Sequence, residues 1–560
     1  MFLRRFSKAI LPVLFFAACS APKVITKTDT ETADQLKAHI QYLADDKLEG
    51  RRTGTAGETL AMNYIMSQFK EIGLLPKGTE YYPQSFIVND GKEIGGVTSF
   101  SINGVSLITN KEFFPFPYSP DINLEALPAI AVQEAGMPWF FDLKETLEEN
   151  KTNPHFDLSD YIRKNVKKAT DRGASAIFLY NTSAIDDKLA FDPKDRSEQL
   201  TIPVVYVTKA TAQKYFADQA ASLAIKLRVS INEKNRVGHN VVGYINNNAA
   251  TTVVLGAHYD HLGYGEDGNS RNTSHEPAIH NGADDNASGT AALIELARKL
   301  KLSKATNNNY LFIAFSGEEL GLYGSKYFTE HPTIDLSKVN YMINMDMVGR
   351  LSDSTKVLTI GGFGTSPQWS SVISMDYFDS PNTVKKTTPS LVIKIDSSGT
   401  GPSDHTSFYR KDIPVLFYFT GLHTDYHKPT DDADKINYTG ETTIVHHITR
   451  LIESLNDKGK LSFLKTRETQ TTTSARFSVS MGIMPDYTYA GTGVRADGVS
   501  EGKPAQKAGL KAGDIILQLG DYNVSSMESY MQTLGKFKKG DKAKVKYKRG
   551  NETLETTVEF

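Results

Sequence analysis

Apolar residues near the start of the chain recur at helical spacing. Leu36, Ile40 and Leu43 keep this spacing and predict a first amphipathic helix. A second helix is predicted from Glu58 to Ile72. Gly73 is a suitable end for it, because glycine readily adopts the left-handed conformation that caps many helices. The pattern therefore predicts that the folded part of the chain starts with helices.

After about Thr98 the pattern changes to short strand-like runs. A helix predicted around Tyr161 to Arg172 follows, and then two apolar segments, Ser175 to Tyr180 and Ile202 to Val207. We interpret residues 96–235 as a separate small α/β unit inserted into a larger one. Its segments RGASAIFLYN and IPVVYV resemble the protease-associated domain found as an insert in some zinc peptidases. A generic α/β insert is the alternative.

Strand and helix patterns alternate again from Val241 to about Leu455. The strand-like runs are VVLGA, YLFIAFS, YMINMD and VLFYFTG, and a helix is predicted from Ser288 to Leu300. This alternation is typical of an α/β fold with a mostly parallel mixed sheet and helices on both faces. We assign residues 34–95 and 236–456 to it. Ligands of such sheets bind beyond the carboxyl ends of the strands.

The last part of the chain has a different organisation. Residues 457–474 include a Thr-rich stretch with little to bury and are predicted to be a linker. Residues 475–560 contain MGIMPDY and DGVSEGKPAQKAGLKAGDIILQLGDYNV, and they resemble a β-rich PDZ domain over nearly its full length. The resemblance implies a peptide or protein ligand, held by its terminal carboxylate beside an open sheet edge.

Length and charge narrow the possible functions. A chain of 560 residues is too long for one hydrophobic core, so several domains are expected. Its 39% hydrophobic and 23% charged residues are typical of a globular protein. With 63 Lys and Arg against 65 Asp and Glu, the composition gives no reason to expect nucleic acid as a partner.

The first residues, MFLRRFSKAILPVLFFAACSAPK, predict export. A charged start precedes an apolar run from Ala9 to Ala18, which is typical of a signal peptide over residues 1–18. Cys19 follows directly and is the single cysteine, so no disulfide can form within one chain. The segment resembles a bacterial lipobox, although Phe16 stands where leucine is usual. That resemblance implies acylation of Cys19, a tether over 19–33 and a lipid anchor in the bacterial cell envelope; a buried free cysteine is the alternative.

Five acidic or histidine side chains stand at ends of predicted strands or at the start of a predicted helix. They are His258, Asp285, Glu319, Asp346 and His427. Each one alone has an ordinary explanation as a cap or a solvated loop residue. Together they reach the same edge of one predicted sheet, and this coincidence indicates a metal site. Two histidines and three carboxylates suit zinc but are too many for one tetrahedral ion. A pair of zinc ions about 3.5–4 Å apart with a bridging carboxylate fits them.

The motifs GAHYDHLG, NGADDNASG, SGEELGLYGS, NMDMVGR and DYHKPTDD resemble those of the co-catalytic zinc aminopeptidases of metallopeptidase family twenty-eight. The resemblance extends from Asp34 to about Leu455, apart from the insert. It implies hydrolysis of N-terminal residues from peptides with a free N-terminus by two Zn²⁺ per chain. It also implies ligand roles: His258 and Asp346 bind one ion, Glu319 and His427 bind the other, and Asp285 bridges.

The same resemblance implies three further roles. Glu318 matches the general base, Asp260 matches the carboxylate that orients His258, and Tyr426 matches a tyrosine that supports the oxyanion in some members. A base that also bound metal would be too weak, so neighbouring acids with different roles are chemically reasonable. Two interpretations stay open for the other histidines, substrate contacts or plain loop residues, and we favour loop residues for each of His261, His275, His280, His405 and His423.

Four alternatives share some of these features. A glutaminyl cyclase-like aminoacyl transferase has the same fold with a single zinc, and a non-catalytic receptor lacks ligands. A carboxypeptidase needs arginines for a terminal carboxylate, and Arg350 alone does not decide this. A serine protease with a PDZ domain needs a nucleophile where the segment SGEELG offers acids. The complete ligand set favours two ions and hydrolysis.

Overall fold

The computed structural model describes most of the 560-residue chain. The described residues are 27–153, 156–195, 197, 199–272, 274, 276–373, 391–466, 479–486, 489, 491–499, 502–525 and 527–560. The predicted signal peptide and Cys19 lie outside them. Within these ranges, none of the helices has the length and apolar character needed to cross a membrane.

The N-terminal elements are α1 (Lys27–Leu43), α2 (Ala56–Ile72), β1 (Leu75–Pro76) and β2 (Pro83–Ile94). Both predicted helices are present, and Gly73 ends α2 in the left-handed conformation with φ 80°.

The tether predicted up to residue 33 was wrong in its last part, because α1 already begins at Lys27. Thr32 is buried there, and Lys299 Nζ donates a hydrogen bond to its Oγ1 at 2.9 Å. Tertiary packing thus extends a helix whose first turns are polar.

The inserted segment forms two small sheets. Its elements are β3 (Ser99–Ile102), β4 (Val105–Leu107), β5 (Phe113–Pro115), β6 (Ile122–Ala126), β7 (Pro138–Asp142), α3 (Lys144–Glu149), α4 (Leu158–Asp171), β8 (Ala176–Tyr180), β9 (Val204–Val207), α5 (Lys209–Tyr215) and β10 (Ile225–Val229). The strand orders are β4-β3-β10-β6 and β5-β9-β8-β7. Phe100 and Phe178 stack between them with ring centroids 5.0 Å apart, so the insert has a core of its own.

The largest sheet follows in the chain. Its part of the sequence contains β11 (Ile231–Ile245), β12 (Thr251–His258), α6 (Gly289–Leu302), β13 (Asn308–Phe315), α7 (Tyr323–Glu330), β14 (Val339–Met345), β15 (Val357–Gly361), β16 (Val392–Ile395), α8 (His405–Tyr409), β17 (Val415–Phe419) and α9 (Tyr438–Leu455). The strand order is β1-β11-β13-β12-β14-β17-β15-β16, with β2 paired to β11. The neighbours β13, β12, β14 and β17 run parallel, whereas β11 and β15 pair antiparallel to this centre.

Apolar side chains cover both faces of this sheet. Helices α1, α2, α6 and α9 bury residues such as Leu36 and Ile448 against one face. Helices α7 and α8 bury Phe328 and Phe408 against the other. Such double coverage explains the continuous apolar runs of the central strands. The predicted mixed α/β sheet with helices on both faces is confirmed.

The linker predicted over residues 457–474 was wrong in its first part. Leu461 is buried in the core beneath the large sheet. The Gly399 backbone N–H donates to Thr466 Oγ1 at 2.9 Å. Residues 467–474 lie outside the described part of the chain. The segment up to Thr466 therefore belongs to the large α/β domain, although its polar sequence gives little sign of this packing.

The C-terminal domain is rich in strands. Its elements are β18 (Ile483–Pro485), β19 (Val494–Val499), α10 (Pro504–Lys507), β20 (Ile515–Leu519), β21 (Tyr522–Asn523), α11 (Met527–Leu534), β22 (Lys542–Arg549) and β23 (Glu552–Glu559). The strand order is β18-β19-β20-β22-β23, with β21 paired to β20. Met481, Ile516 and Val545 lie in its separate core. The predicted C-terminal β-rich domain is confirmed.

Candidate metal centre

Two of the predicted ligands stand at the ends of neighbouring parallel strands. His258 is the last residue of β12, and Asp346 directly follows β14. Gly256 pairs with Asn344 in the register of these strands, so His258 and Asp346 lie side by side. His258 Nε2 is 3.4 Å from Asp346 Oδ1. We call these two residues the strand-end pair.

Two further predicted ligands lie on loops beyond the same sheet edge. Glu319 is on the turn that follows β13, and His427 is on the loop that follows β17, with φ 57°. His427 Nε2 is 3.2 Å from Glu319 Oε2, and its Nδ1 is 3.0 Å from the backbone carbonyl oxygen of Asn269. We call Glu319 and His427 the loop pair.

Asp285 lies between the two pairs. Its Oδ1 is 3.5 Å from His258 Nε2, and its Oδ2 is 3.3 Å from His427 Nε2. The backbone N–H groups of Asp284 and Asp285 both donate to Asp431 Oδ2, at 2.9 and 3.0 Å. The Asp285–Asn286 peptide bond is cis. The two distances to His258 and His427 show that each carboxylate oxygen of Asp285 faces a different histidine, as a bridging ligand would.

The spacing of these atoms fits zinc. Ligand atoms at the usual Zn–N and Zn–O distances of about 2.0–2.2 Å stand about 3.3 Å apart around a tetrahedral ion. The distances from His258 Nε2 and from His427 Nε2 to their carboxylate neighbours span 3.2 to 3.5 Å. His258 Nε2 is also buried and makes no hydrogen bond to any described residue. A buried polar atom without a partner is costly unless something binds it, so this nitrogen suits a metal ligand.

The electrostatics of the cluster favour a cation. Burial tends to lower the pKa of His427, but the carboxylates of Glu319 and Asp285 outweigh it and raise the pKa to about 11. The pKa of His258 is likewise raised well above its usual value, because Glu318 and Asp346 overcome the effect of burial. The surplus of negative charge thus holds protons on the histidines when no metal competes for them.

Glu318 and Asp260 lie beside the strand-end pair. Glu318 Oε2 is 3.9 Å from His258 Nε2. The Asp260 carboxylate accepts hydrogen bonds from the backbone N–H groups of Glu318 at 3.2 Å and Glu319 at 3.4 Å, and from Thr53 Oγ1 at 3.0 Å. His258 Nδ1 is closer to the backbone oxygen of Asp260, at 3.2 Å, than to its Oδ1, at 3.7 Å. The Asp260 carboxylate therefore supports the turn that carries both glutamates, and the Asp260 group within hydrogen-bond distance of the His258 ring is the backbone oxygen.

Tyr426 lies against the loop pair. Its ring centroid is 3.9 Å from that of His427, and the Arg271 guanidinium lies 4.8 Å from the tyrosine ring. Burial and the carboxylates of the cluster raise the pKa of its phenol far above the usual value, so Tyr426 is a neutral hydrogen-bond donor.

The histidines interpreted as loop residues differ in their surroundings. His261 Nδ1 lies 2.8 Å from Glu319 Oε1, and His423 Nε2 lies 3.2 Å from Asp284 Oδ2. His280 instead contacts Ser270 Oγ at 2.7 Å. His405 stacks on Phe417, with centroids 4.5 Å apart, and His275 is outside the described residues. The interpretation as plain loop residues was wrong for His261, which contacts a predicted ligand, and for His405, which begins helix α8.

Sequence reasoning also missed a buried arginine behind the centre. Arg51 is fully buried and donates hydrogen bonds to the backbone carbonyl oxygens of Tyr259 at 2.7 Å, Asn281 at 2.7 Å and Gly282 at 3.0 Å. Burial lowers the pKa of its guanidinium to about 10, against the nearby carboxylates that raise it. Arg51 thereby joins the segment just after His258 to the segment just before Asp285. Its contacts are remote in sequence, and no motif indicates them.

The large sheet and its edge of histidines and carboxylates define an α/β domain with side chains that could hold a metal ion. Residues 240–452 match peptidase family M28, and residues 478–560 match the PDZ domain. The chain therefore carries a peptidase family M28 domain followed by a PDZ domain, as the sequence motifs predicted.

Several known proteins are similar to parts of this chain. Aminopeptidase YwaD of Bacillus subtilis is 26% identical over 290 residues, which cover 50% of this chain and 56% of that protein. The probable lipoprotein aminopeptidase LpqL of Mycobacterium tuberculosis is 26% identical over 309 residues, covering 52% and 57%. The chain thus spans little more than half the length of these curated relatives. The structure of BSAP, a zinc aminopeptidase from Bacillus subtilis, is 21% identical with a TM-score of 0.41, covering 77% of this chain and 95% of that one.

Proposed function

We propose that this chain is a zinc-dependent aminopeptidase that hydrolyses N-terminal residues from peptides and binds two zinc ions. The observation that carries the proposal is the pair of ligand sets that share Asp285. The strand-end pair with Asp285 Oδ1 would hold one ion, and the loop pair with Asp285 Oδ2 would hold the other. Zinc, when bound, polarises a peptide carbonyl and lowers the pKa of a water molecule at the site toward neutrality.

Glu318 is proposed as the general base. Burial raises the pKa of its carboxyl group well above the usual value, and Asp346 and Glu319 add to the shift against the opposing effect of His258. A carboxylate with a raised pKa takes a proton from water more readily and can then deliver it to the leaving amine. Asp260 fixes the backbone of this residue, so the base is held in place on its turn. Tyr426, as a neutral donor beside His427, is proposed to hydrogen-bond the developing oxyanion.

Two observations favour an aminopeptidase over the carboxypeptidase alternative. Arg350 Nη2 donates to Asp425 Oδ2 at 3.1 Å, and its Nη1 lies 3.9 Å from Asp431 Oδ1. These contacts engage the Arg350 guanidinium with protein carboxylates rather than with a substrate carboxylate. The two curated relatives described above are both named aminopeptidases. The two ligand sets also favour hydrolysis over the single-zinc cyclase alternative.

Metal exchange and substrate choice test the proposal together. Chelation should abolish hydrolysis of an unblocked aminoacyl substrate, added zinc should restore it, and metal analysis should find about two ions per chain. An N-blocked version of the same substrate should not be cleaved. Full activity in the metal-free protein, or equal cleavage of blocked and unblocked substrates, would contradict the proposal.

The PDZ domain is proposed to bind a peptide or protein ligand beside β18. This strand ends the order of its sheet, so its outer edge pairs with no other strand among the described residues. Backbone groups at such an edge can accept an added strand. The ligand would be a separate partner or a long substrate, distinct from the residue that is cleaved.

We also propose that the chain is exported and anchored to a bacterial envelope membrane through acylated Cys19. The apolar run before the single cysteine supports this proposal. Cys19→Ser should move the protein from the membrane fraction to a soluble or uncleaved form, since acyl chains supply the membrane affinity. Unchanged fractionation and processing would contradict it.

A further inference from the structure

His261 is a buried histidine with a direct contact to a proposed zinc ligand. It is 2% exposed and stands on the turn that follows β12. Its Nδ1 lies 2.8 Å from Glu319 Oε1, whereas His427 Nε2 lies 3.2 Å from the other oxygen, Oε2. The two oxygens of the Glu319 carboxylate thus face two different histidines.

The surroundings of His261 hold its ring in one place. Its backbone N–H donates to the Arg51 carbonyl oxygen at 3.2 Å. A Cβ at Gly282 would lie 2.4 Å from His261 Cδ2, so only glycine leaves room for the ring. Gly282 also has φ 56°, a conformation that other residues rarely adopt. The ring is therefore confined between the Arg51 segment and the turn that bears Asp285.

The distances distinguish a hydrogen-bond donor from a third ligand of the loop pair. Two ligand atoms on one tetrahedral zinc stand about 3.3 Å apart. The 2.8 Å between His261 Nδ1 and Glu319 Oε1 is shorter and is typical of an N–H···O hydrogen bond to a charged acceptor. His261 Nδ1 is also 4.0 Å from Asp285 Oδ2, whereas His427 Nε2 is 3.3 Å from it. His427 has the geometry of a ligand, and His261 has that of a donor.

We propose that His261 is a positioning residue that donates its Nδ1–H to Glu319 Oε1 and so leaves Oε2 as the oxygen directed at the second zinc. The proposal rests on the proposed function, because it assumes an ion at the loop pair. Hydrogen-bond partners of metal ligands orient them, and their removal typically lowers metal affinity about 10–100-fold. His261 would give the loop ligand Glu319 the fixed orientation that a strand end gives His258.

Three substitutions of His261 test which atom matters. An asparagine amide nitrogen is as many bonds from the backbone as histidine Nδ1, so His261→Asn can still donate to Glu319. His261→Gln places its amide nitrogen one bond further away, and His261→Phe removes the donor. The affinity of the loop pair for zinc, titrated with a competing chelator, should fall about 10–100-fold in His261→Phe and clearly less in His261→Asn. The absorption spectrum of the cobalt-substituted protein should change in the same order.

His280→Phe is the matched control. His280 is also buried, and its ring centroid is 6.5 Å from that of His261, but its nitrogens contact Ser270 Oγ and the Ala278 carbonyl oxygen. This variant should keep the wild-type affinity for both ions. Thermal unfolding of each zinc-free variant shows whether it is folded. The zinc affinities of His261→Asn and His261→Phe are compared once both are shown to be folded.

The possible outcomes separate this proposal from the proposed function. Equal loss of zinc affinity in His261→Asn and His261→Phe, or wild-type affinity in His261→Phe, overturns the donor role. Two bound ions without peptide hydrolysis overturn the proposed function, while the affinities of the variants still decide the role of His261. A wild-type chain with no second ion contradicts both.

Discussion

The strand-end pair and the loop pair share Asp285 but are held in different ways. His258 and Asp346 continue two paired parallel strands, so the hydrogen bonds of the sheet fix their separation. Glu319 and His427 lie on loops and depend on groups outside the sheet. His427 Nδ1 lies 3.0 Å from the Asn269 backbone carbonyl oxygen, and because that oxygen can only accept, Nδ1 carries the proton and donates it.

Burial follows the same division between the histidines. The His258 side chain is 1% exposed, and that of His427 is 13% exposed. A ligand that a sheet holds in place loses little conformational freedom on metal binding, whereas a loop ligand must be ordered by its neighbours. We therefore expect the ion at the loop pair to bind more weakly. The predictions below test this difference, from the largest expected effect to the smallest.

Glu318 belongs to neither pair, and its removal should separate catalysis from metal binding. Glu318→Gln keeps the size of the side chain but cannot accept a proton from water. Turnover should fall about 10²–10⁴-fold, while both ions remain bound. The measurement is the turnover of an unblocked aminoacyl substrate beside the zinc content of the same sample. Near-normal turnover, or loss of zinc without added chelator, would show that Glu318 is not the general base.

Equivalent substitutions in the two pairs should affect different ions. Glu319→Gln and Asp346→Asn each remove the charge of one proposed ligand. Glu319→Gln should lower the affinity for the ion at the loop pair, and Asp346→Asn the affinity for the ion at the strand-end pair. Each loss should exceed the roughly 10–100-fold expected when a supporting hydrogen bond is removed. In the wild type, a chelator titration should remove the loop ion first. Added zinc should partly restore activity to Glu319→Gln. Removal of both ions in a single step by the same chelator concentration would contradict the difference between the pairs.

The sequence predicted the mixed sheet, and the five residues proposed as ligands could be selected because each stands just after a recognisable strand or just before a helix. The supports of the loop pair could not be predicted in this way. His261 stands on the turn after β12, and nothing in its sequence position distinguishes it from other turn residues. Its contact with Glu319 depends on how the turns after β12 and β13 pack together. Asp431 lies in DYHKPTDD, but its bonds to the backbone of Asp284 and Asp285 join segments remote in the chain. Long-range hydrogen bonds leave no periodic pattern.

Lys326 joins the helix that follows the Glu319 turn to the PDZ domain. It lies on α7, the helix after the turn of Glu319, and it forms an ion pair with Asp486, which Arg495 also contacts. If the loop pair depends on outside supports, Lys326→Met should lower affinity for the loop ion about 2–5-fold and leave the strand-end ion unchanged. Chelator titration measures both. The exposed Lys338 provides a control, since Lys338→Met should change neither affinity.

The smallest effect concerns a support of the strand-end pair. Tyr259, which follows His258, places its Oη 3.1 Å from Glu58 Oε1, and His239 Nδ1 lies 3.4 Å from Glu58 Oε2. The hydrogen bond to Glu58 raises the pKa of His239 above its usual 6.5, against burial. A histidine with a raised folded-state pKa contributes stability that is full below the unfolded value and is lost as pH rises through the folded value.

His239→Asn keeps a donor near Glu58 but cannot carry the charge, so it isolates this titration. The wild type should unfold at a higher temperature than the variant at pH 6, by about 2–4 °C if the charge contributes about 1 kcal/mol. The difference should shrink as pH rises past the raised pKa of His239. Thermal unfolding of both zinc-loaded proteins between pH 6 and 9 measures it. Zinc affinity should stay the same in both proteins, because the sheet holds His258 in place without this charge. A difference in unfolding temperature that grows with pH would contradict the role assigned to the His239–Glu58 contact.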